Sequence, residues 1–203
     1  ASAYKIDPEK ISIIYNGWEH IKDVQTDNSV FTKFPLLKNS PYYFTLGSLS
    51  KRKNLQWIAS YAQKHPESIF AVSGKAISGL IAPELKVLQS LHNVVLVGYV
   101  SDAQVKSLMQ NCKAFIFPSY YEGFGIPPLE ALSCSAPVII SNAACLPELY
   151  GSAARYINPE NTDTNLDELL SEPVTDAAPL LQKYSYETAA QELYKIVKLF
   201  LLK

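Results

Sequence analysis

Short apolar runs alternate with helical patterns along most of the chain, and this alternation limits the fold more than any other feature. Apolar, β-branched runs predict strands at 11–15, 42–47, 69–74, 94–98, 114–118, 137–141 and 154–157. Helical patterns predict helices at 54–65, 83–91, 101–111 and 185–202, with a short helix between the fifth and sixth strands. The central strands are apolar on both faces, as expected when helices cover both sides of a parallel sheet. The sequence therefore predicts an α/β fold, a Rossmann-like doubly wound parallel sheet with a long C-terminal helix.

The composition suits one domain with a sizeable core. The chain has 203 residues, 48% of them hydrophobic, and we expect a single domain over 1–203 with an irregular polar segment at 17–40. The formal net charge is -1, so no basic surplus indicates a nucleic-acid partner. The three cysteines fit neither a zinc nor a redox spacing and are interpreted as small buried thiols in a reducing compartment.

The loop after the second predicted strand reads SLSKRKN and follows the carboxyl end of that strand, where sheets of this class bind their ligands. It places Lys51, Arg52 and Lys53 beside the start of a helix. A helix N-terminus is already electropositive, so three cations there are unfavourable unless an anion binds. A phosphate would contact both the cations and the free N–H groups. Taken alone, this loop favours a solvated basic turn without a ligand, and phosphate binding is the alternative.

The loop after the fifth predicted strand reads SYYEGFGIPP, and Glu122 and Glu130 lie on either side of its glycines and prolines. Gly123 and Gly125 let the backbone approach a ligand, and the prolines suit the first turn of a helix. Glu130 is expected in that first turn, where the helix dipole alone would explain a carboxylate. Glu122 precedes the helix, and its carboxylate can accept hydrogen bonds from the vicinal hydroxyls of a sugar.

The two loops together predict a ligand that carries both phosphate and hydroxyl groups, such as a sugar nucleotide. Other nucleotide signatures are missing: there is no G-x-G-x-x-G, and the Walker-like GKAISG is followed by Leu80 where a lysine is required. No D-x-D pair is present to hold a metal against a diphosphate. We therefore expect no metal and no cofactor, with Arg52 and Lys53 neutralising the phosphates.

Several motifs in order along the chain resemble those of retaining glycosyltransferases of the GT-B fold, family 4 type. EGFGIPPLE (122–130) resembles their E-x7-E motif, and LGSLSKRKNL (46–55) resembles their phosphate-binding loop. Three further segments match in the same order. IIYNG (13–17) resembles the link into the nucleotide-binding half, and VGYVSD (97–102) resembles the loop beside the base. LPELYGSAARYINP (146–159) resembles the segment that follows the E-x7-E motif. The resemblance implies that this chain is the donor-binding half of a GT-B fold, and that the N-terminal acceptor-binding half is absent from it.

The resemblance also implies roles for individual residues. Glu122 would contact hydroxyls of the donor sugar, and Glu130 would hold the ribose hydroxyls. Arg52 and Lys53 would bind the diphosphate and stabilise the charge that develops as the sugar departs. The other implied contacts to the sugar, phosphates and base come from Gly47, Ser48, Tyr99, Val100, Gly123, Phe124 and Gly125. Transfer would proceed with retention, by front-face attack without a protein nucleophile, to a saccharide or lipid-linked acceptor.

Further expectations concern Ser48, the missing half and the histidines. Many relatives carry an arginine where this chain has Ser48, and Arg52 is expected to replace it. In relatives, the half that this chain lacks holds a catalytic-site histidine. The isolated chain is therefore expected to bind nucleotide weakly and to transfer no sugar. Its own histidines, His20, His65 and His92, lie outside the motifs and are expected at the surface or at helix ends.

The C-terminal helix ends in LYKIVKLFLLK, which is more apolar than one helix face requires. A buried core helix is the favoured interpretation, followed by packing on the missing half and by contact with a membrane surface. The chain opens with no signal peptide, and no apolar stretch is long enough to span a bilayer. We therefore expect a cytoplasmic protein, with peripheral association at the inner face of the membrane as the alternative.

Two other functional classes share the same sheet. A sugar-nucleotide epimerase or a phosphorylase has the same double-Rossmann plan but matches the E-x7-E motif less well. A non-catalytic nucleotide-sugar binding module would have no reason to keep Glu122, Glu130 and Lys53. The family-level expectation is synthesis of cell-surface polysaccharide or lipopolysaccharide, with the base, the sugar and the acceptor left open.

Overall fold

A single sheet of six parallel strands forms the centre of the computed structural model, which describes residues 7–48, 50–74 and 83–201. The strands are β1 (Tyr42–Leu46), β2 (Ile69–Ser73), β3 (Val94–Gly98), β4 (Ala114–Phe117), β5 (Val138–Ser141) and β6 (Arg155–Ile157). They lie in the order β3-β2-β1-β4-β5-β6, so the direction of strand addition reverses between β1 and β4. This order is that of a doubly wound Rossmann-like sheet, and the predicted fold class is confirmed.

Helices cover both faces of the sheet. They are α1 (Ser29–Lys33), α2 (Pro35–Asn39), α3 (Leu55–Lys64), α4 (Pro83–Ser90), α5 (Asp102–Asn111), α6 (Ile126–Ser133), α7 (Leu146–Tyr150), α8 (Leu166–Ser171), α9 (Ala178–Lys183) and α10 (Tyr186–Leu201). A capping box begins α5, because Ser101 Oγ accepts from the Gln104 N–H at 3.3 Å and Gln104 Oε1 accepts from the Ser101 N–H at 3.2 Å.

The core consists of two apolar layers, one on each face of the sheet. Successive residues of a strand point to opposite faces, so Phe115 and Phe117 pack in one layer while Ile116 packs in the other. Tyr42 and Tyr43 divide between the layers in the same way. Both layers need apolar side chains, which explains why the central strands are apolar throughout.

Two expectations for the start of the chain are wrong. Residues 11–15 form no strand and are largely exposed, since an apolar run becomes a strand only where another strand pairs with it. Residues 17–40 are not irregular throughout, because they contain a 3₁₀ turn at Glu19–Ile21 and the two short helices α1 and α2. Pro35 begins α2 and separates it from α1, which hides the helical period in the sequence.

The expectation that the C-terminal helix is buried is also wrong. No residue of α10, within Tyr186–Leu201, is fully buried, and Tyr194, Leu199 and Phe200 are each more than half exposed. None of the described helices is both long and apolar enough to cross a bilayer.

Asn54 fixes the loop after β1 to the ends of two other strands. It has a left-handed backbone with φ 54°, and its Oδ1 caps α3 by accepting from the Trp57 N–H at 3.3 Å. Its Nδ2 donates to Pro118 O at 3.0 Å, after β4, and to Pro159 O at 2.8 Å, after β6. The buried side chain of Asn54 therefore joins three loops at the carboxyl edge of the sheet.

We expect Asn54→Gly to lower the free energy of unfolding by about 2–4 kcal/mol, because two buried carbonyls lose their donor. Glycine keeps the left-handed backbone, so strain does not contribute. Asn165→Gly is the matched control: Asn165 also caps a helix, α8, but is exposed, and its loss should cost only a few tenths of a kcal/mol. Urea unfolding followed by circular dichroism measures both, and equal losses would contradict the assigned carbonyl bonds.

Candidate functional site

The cationic loop and the glutamate loop meet at the carboxyl edge of the sheet. They follow β1 and β4, which are neighbours in the sheet with Tyr43 paired to Ala114 and Phe44 to Phe115. The Tyr120 N–H donates to Arg52 O at 3.0 Å, so the two loops are also joined directly. This is the region where ligands of doubly wound sheets bind.

Glu122 lies between the two predicted phosphate-binding cations. Its Oε1 accepts from Lys53 Nζ at 2.8 Å, and its Oε2 lies 2.6 Å from Arg52 Nη1. The side chains of Glu122 and Lys53 are 7% and 11% exposed, so this pair is largely shielded from water. Arg52, which is more exposed, also donates to Tyr121 O at 2.9 Å. The structure thus brings Arg52, Lys53 and Glu122 into one cluster.

Lys53 is held in a narrow position. Its Nζ lies 4.3 Å from the centre of the Phe117 ring, a cation–π contact at the end of β4. A Cβ on Gly47 would come within 3.0 Å of Lys53 Cε, so the glycine leaves room for the lysine stem. Burial lowers the pKa of the Lys53 ammonium, and the Glu122 carboxylate opposes that shift. The Glu122 carboxylate therefore favours the charged form of Lys53.

The glycine-containing turn brings the chain from Glu122 into α6. Gly125 has φ 84°, and a Cβ there would lie 2.7 Å from Leu146 Cδ2, so both the backbone and the packing require glycine. The Tyr150 hydroxyl donates to Gly125 O, and Cys145 Sγ donates to Glu122 O at 3.1 Å. These contacts fix the backbone on both sides of Gly123, which is exposed.

Glu130 does not lie in the first turn of α6, and that prediction is wrong. The helix begins at Ile126, directly after Gly125, so both prolines fall in the first turn and Glu130 in the second. The helix dipole therefore does not explain a buried carboxylate at this position. Burial raises the pKa of the Glu130 carboxyl, and the contact with His20 opposes this shift.

His20 is exposed at the surface, as expected, and it also contacts one of the predicted site residues. Its Nε2 contacts Glu130 Oε1, and its ring is 43% exposed. His65 and His92 do lie away from the site, His65 after α3 and His92 exposed after α4. The contact of His20 joins residues 110 positions apart, and no local signal in the sequence indicates it.

The side chain of Phe124 anchors the glycine-containing turn. Its ring centre lies 6.2 Å from that of Tyr15 and 5.4 Å from that of Tyr184, and Tyr15 and Tyr184 are 5.0 Å apart. This aromatic cluster leaves the backbone of Phe124 as the part that can meet a ligand. Sequence reasoning missed Tyr15 and Tyr184, because their aromatic character alone does not reveal which residues they contact.

The remaining predicted contacts lie at the same edge of the sheet. Ser48 Oγ is 3.2 Å from Ser50 Oγ, in the loop after β1. Tyr99 and Val100 follow β3, and Tyr99 is 81% exposed. Most of the Walker-like GKAISG lies outside the described residues. The roles predicted for Ser48, Tyr99 and Val100 stay predictions. Within the described ranges, no three His, Cys, Asp or Glu side chains are grouped to hold a metal ion.

The cysteines are free thiols. Cys134 is buried as expected, whereas Cys112 and Cys145 are only partly buried. Burial raises the pKa of the Cys112 thiol to about 12, so this thiol is protonated near neutral pH.

The sequence profile of the family Glycosyl transferases group 1 matches residues 27–201. The chain belongs to this family. Among its curated relatives, O-antigen chain mannosyltransferase B of Escherichia coli is 33% identical over 129 residues, 60% of this chain and 34% of the relative. O-antigen chain mannosyltransferase RfbU of Salmonella typhimurium is 29% identical over 170 residues, 79% of this chain and 44% of the relative. This group 1 chain therefore spans less than half the length of either relative.

Solved structures share the fold of this group 1 chain. Anabaena HepE in complex with UDP-glucose superposes with a TM-score of 0.77 at 21% identity, covering 97% of this chain and 60% of HepE. The C-terminal domain of a group 1 glycosyltransferase from Francisella tularensis superposes with a TM-score of 0.58 at 20% identity, covering 81% of this chain and 91% of that domain. The resemblance to GT-B glycosyltransferases is confirmed, whereas the family 4 type and retention stay predictions.

We expect Glu122→Gln to increase the affinity for inorganic pyrophosphate about tenfold, since the anion no longer competes with a carboxylate for the two cations. Isothermal titration calorimetry measures the Kd. Glu67→Gln is the control, because it removes the same charge from an exposed position next to His65. Unchanged or weaker pyrophosphate binding by Glu122→Gln would contradict the competition between Glu122 and the anion.

Proposed function

We propose that this chain is the donor-binding domain of a glycosyltransferase that moves a hexose from a nucleotide-diphosphate sugar to a saccharide or lipid-linked acceptor, with retention. The names of the relatives favour mannose as the sugar and O-antigen or another cell-surface polysaccharide as the product. The observation that carries the proposal is the cluster of Arg52, Lys53 and Glu122 at the carboxyl edge of the sheet.

The cationic half of the cluster suits the diphosphate. A departing nucleoside diphosphate gains negative charge as the sugar leaves, and shielded cations stabilise such charge more strongly than exposed ones. Lys53 is shielded, and the more exposed Arg52 contacts the same Glu122 carboxylate, so both cations are close enough to neutralise the phosphates. The protein cations then take the part that a divalent metal has in other transferases, and we propose that no metal is required.

The acidic residues suit the hydroxyls of the donor. When the donor binds, the diphosphate replaces Glu122 as the partner of the two cations. The Glu122 oxygens are then free to accept from hydroxyls of the sugar. Glu130 accepts from the ribose hydroxyls, and the exposed Tyr99 offers an aromatic face to the base. Acceptor binding is assigned to an N-terminal half, so this chain by itself binds the donor and transfers no sugar.

Lys53→Ala should weaken binding of the preferred nucleoside diphosphate by about 1.5–3 kcal/mol, or roughly 10- to 100-fold, because a charge-assisted hydrogen bond to phosphate is lost. A thermal-shift panel of UDP, GDP, ADP and dTDP first identifies the base, and calorimetry then gives the Kd. Lys51→Ala, an exposed neighbour in the same turn, should change the Kd little. Absence of any nucleotide response in the wild-type chain would refute donor binding.

Glu122→Ala should abolish sugar transfer in a protein that also carries the acceptor-binding half, while the nucleoside diphosphate still binds. The expected loss lies in the rate of transfer, because the sugar loses a carboxylate partner and the diphosphate does not. Transfer of radiolabelled sugar to an acceptor measures the rate, with Glu160→Ala, an exposed carboxylate after β6, as the control. An unchanged rate in Glu122→Ala would show that the assigned role is wrong.

A further inference from the structure

His20 is the one polar side chain in the described residues that hydrogen-bonds the carboxylate of Glu130. The bond involves Nε2 of the imidazole and Oε1 of the carboxylate. Within the described ranges no hydrogen bond is made to the second oxygen, Oε2, although the Glu130 side chain is only 11% exposed. One oxygen of this buried carboxylate is therefore occupied, and the other is available to a ligand.

The backbone around His20 is fixed against the start of α10. Glu19 Oε2 accepts from the Tyr186 N–H at 2.9 Å, so its carboxylate caps that helix and suits the dipole there. The Trp18 N–H donates to the same oxygen at 3.0 Å, and Trp18 Nε1 donates to Leu181 O at 3.0 Å. Gly17 packs so closely on the Tyr186 N–H that a Cβ there would overlap it.

The other side of the segment is held by the core and by α5. Ile21 is buried in the apolar layer that also contains Leu129 of α6. Lys106 Nζ donates to Ile21 O at 3.0 Å, Lys22 O at 2.7 Å and Val24 O at 2.9 Å. Residues on both sides of His20 are thus fixed by contacts that do not involve its ring. The half-exposed ring itself contacts Glu130, and it lies 6.4 Å from the Tyr186 ring.

We propose that His20 is a positioning residue for the donor site: its Nε2–H holds Glu130 Oε1 and orients Oε2 to accept from the ribose hydroxyls of a nucleoside diphosphate. The inference rests on the proposed function, in which Glu130 binds the ribose. A carboxylate held at one oxygen loses less rotational freedom when the ligand binds, so more of its hydrogen-bond free energy goes into affinity. Desolvation disfavours the ionised carboxyl, and the N–H donor counteracts this by stabilising the charge.

Discrimination between ribose and dideoxyribose tests this role. The probe is the diphosphate that the thermal-shift panel selects from UDP, GDP, ADP and dTDP, compared as its ribo and 2′,3′-dideoxy forms by calorimetry on this chain. The wild type should prefer the ribo form about 10- to 100-fold, the contribution of a hydrogen bond to a charged group. His20→Phe, which keeps a ring but has no N–H donor, should lower this preference about tenfold.

Rescue and coupling separate positioning from a general structural effect. His20→Gln places an amide N–H near the position of Nε2 and should keep the preference within about threefold of wild type. In a Glu130→Gln background, His20→Phe should have no further effect on the preference, because the two residues act through one hydrogen bond. His65→Phe is the matched control: His65 Nδ1 lies 3.4 Å from Glu67 Oε1, away from the carboxyl edge of the sheet.

Each outcome decides one of the two proposals. A wild type that binds the nucleotide without preferring ribose overturns the role of Glu130 and with it that of His20. A wild-type preference that His20→Phe retains in full overturns the positioning role of His20 alone. If His20→Phe does not fold, as judged by circular dichroism, His20→Leu repeats the measurement with a smaller side chain that also lacks a donor.

Discussion

The pairing of β1 with β4 is the constraint on which the site depends. Because the strand order reverses there, the two loops that leave these strands start side by side and diverge toward opposite faces. Asn54 then joins the loop after β1 to the backbone after β4 and β6. A parallel sheet alone would leave the distance between Lys53 and Glu122 adjustable, and this buried amide removes that freedom.

The cluster of Arg52, Lys53 and Glu122 resolves a conflict between stability and binding. A shielded ammonium without a counter-ion would be costly, and burial already lowers the pKa of Lys53. Glu122 supplies the counter-ion in this structure and holds both cations in place. In the proposed function the same carboxylate competes with the diphosphate, so the preorganised site would come with a lower affinity for that ligand.

The sequence predicts the sheet well because its strands are buried on both faces. The bounds of β1 to β6 agree with the predicted runs to within one residue at each end, and both loops of the site follow from them. The run at 11–15 fails because apolar content does not say whether a partner strand exists. The exposure of α10 and the contact of His20 with Glu130 are not predictable from the sequence for a related reason. Both depend on which distant elements meet, whereas residue periodicity describes only local burial.

The segment before β1 connects parts of the site that the motifs alone leave separate. Tyr15 packs on Phe124 in the glycine-containing turn, Glu19 caps α10, and His20 contacts Glu130 in α6. A displacement of this segment would therefore disturb the backbone predicted to meet the phosphate and the carboxylate predicted to meet the ribose at the same time. In the proposed function, donor geometry therefore depends on residues that precede the first strand, and the same stretch also supplies the buried core residues Ile21, Val30 and Leu37.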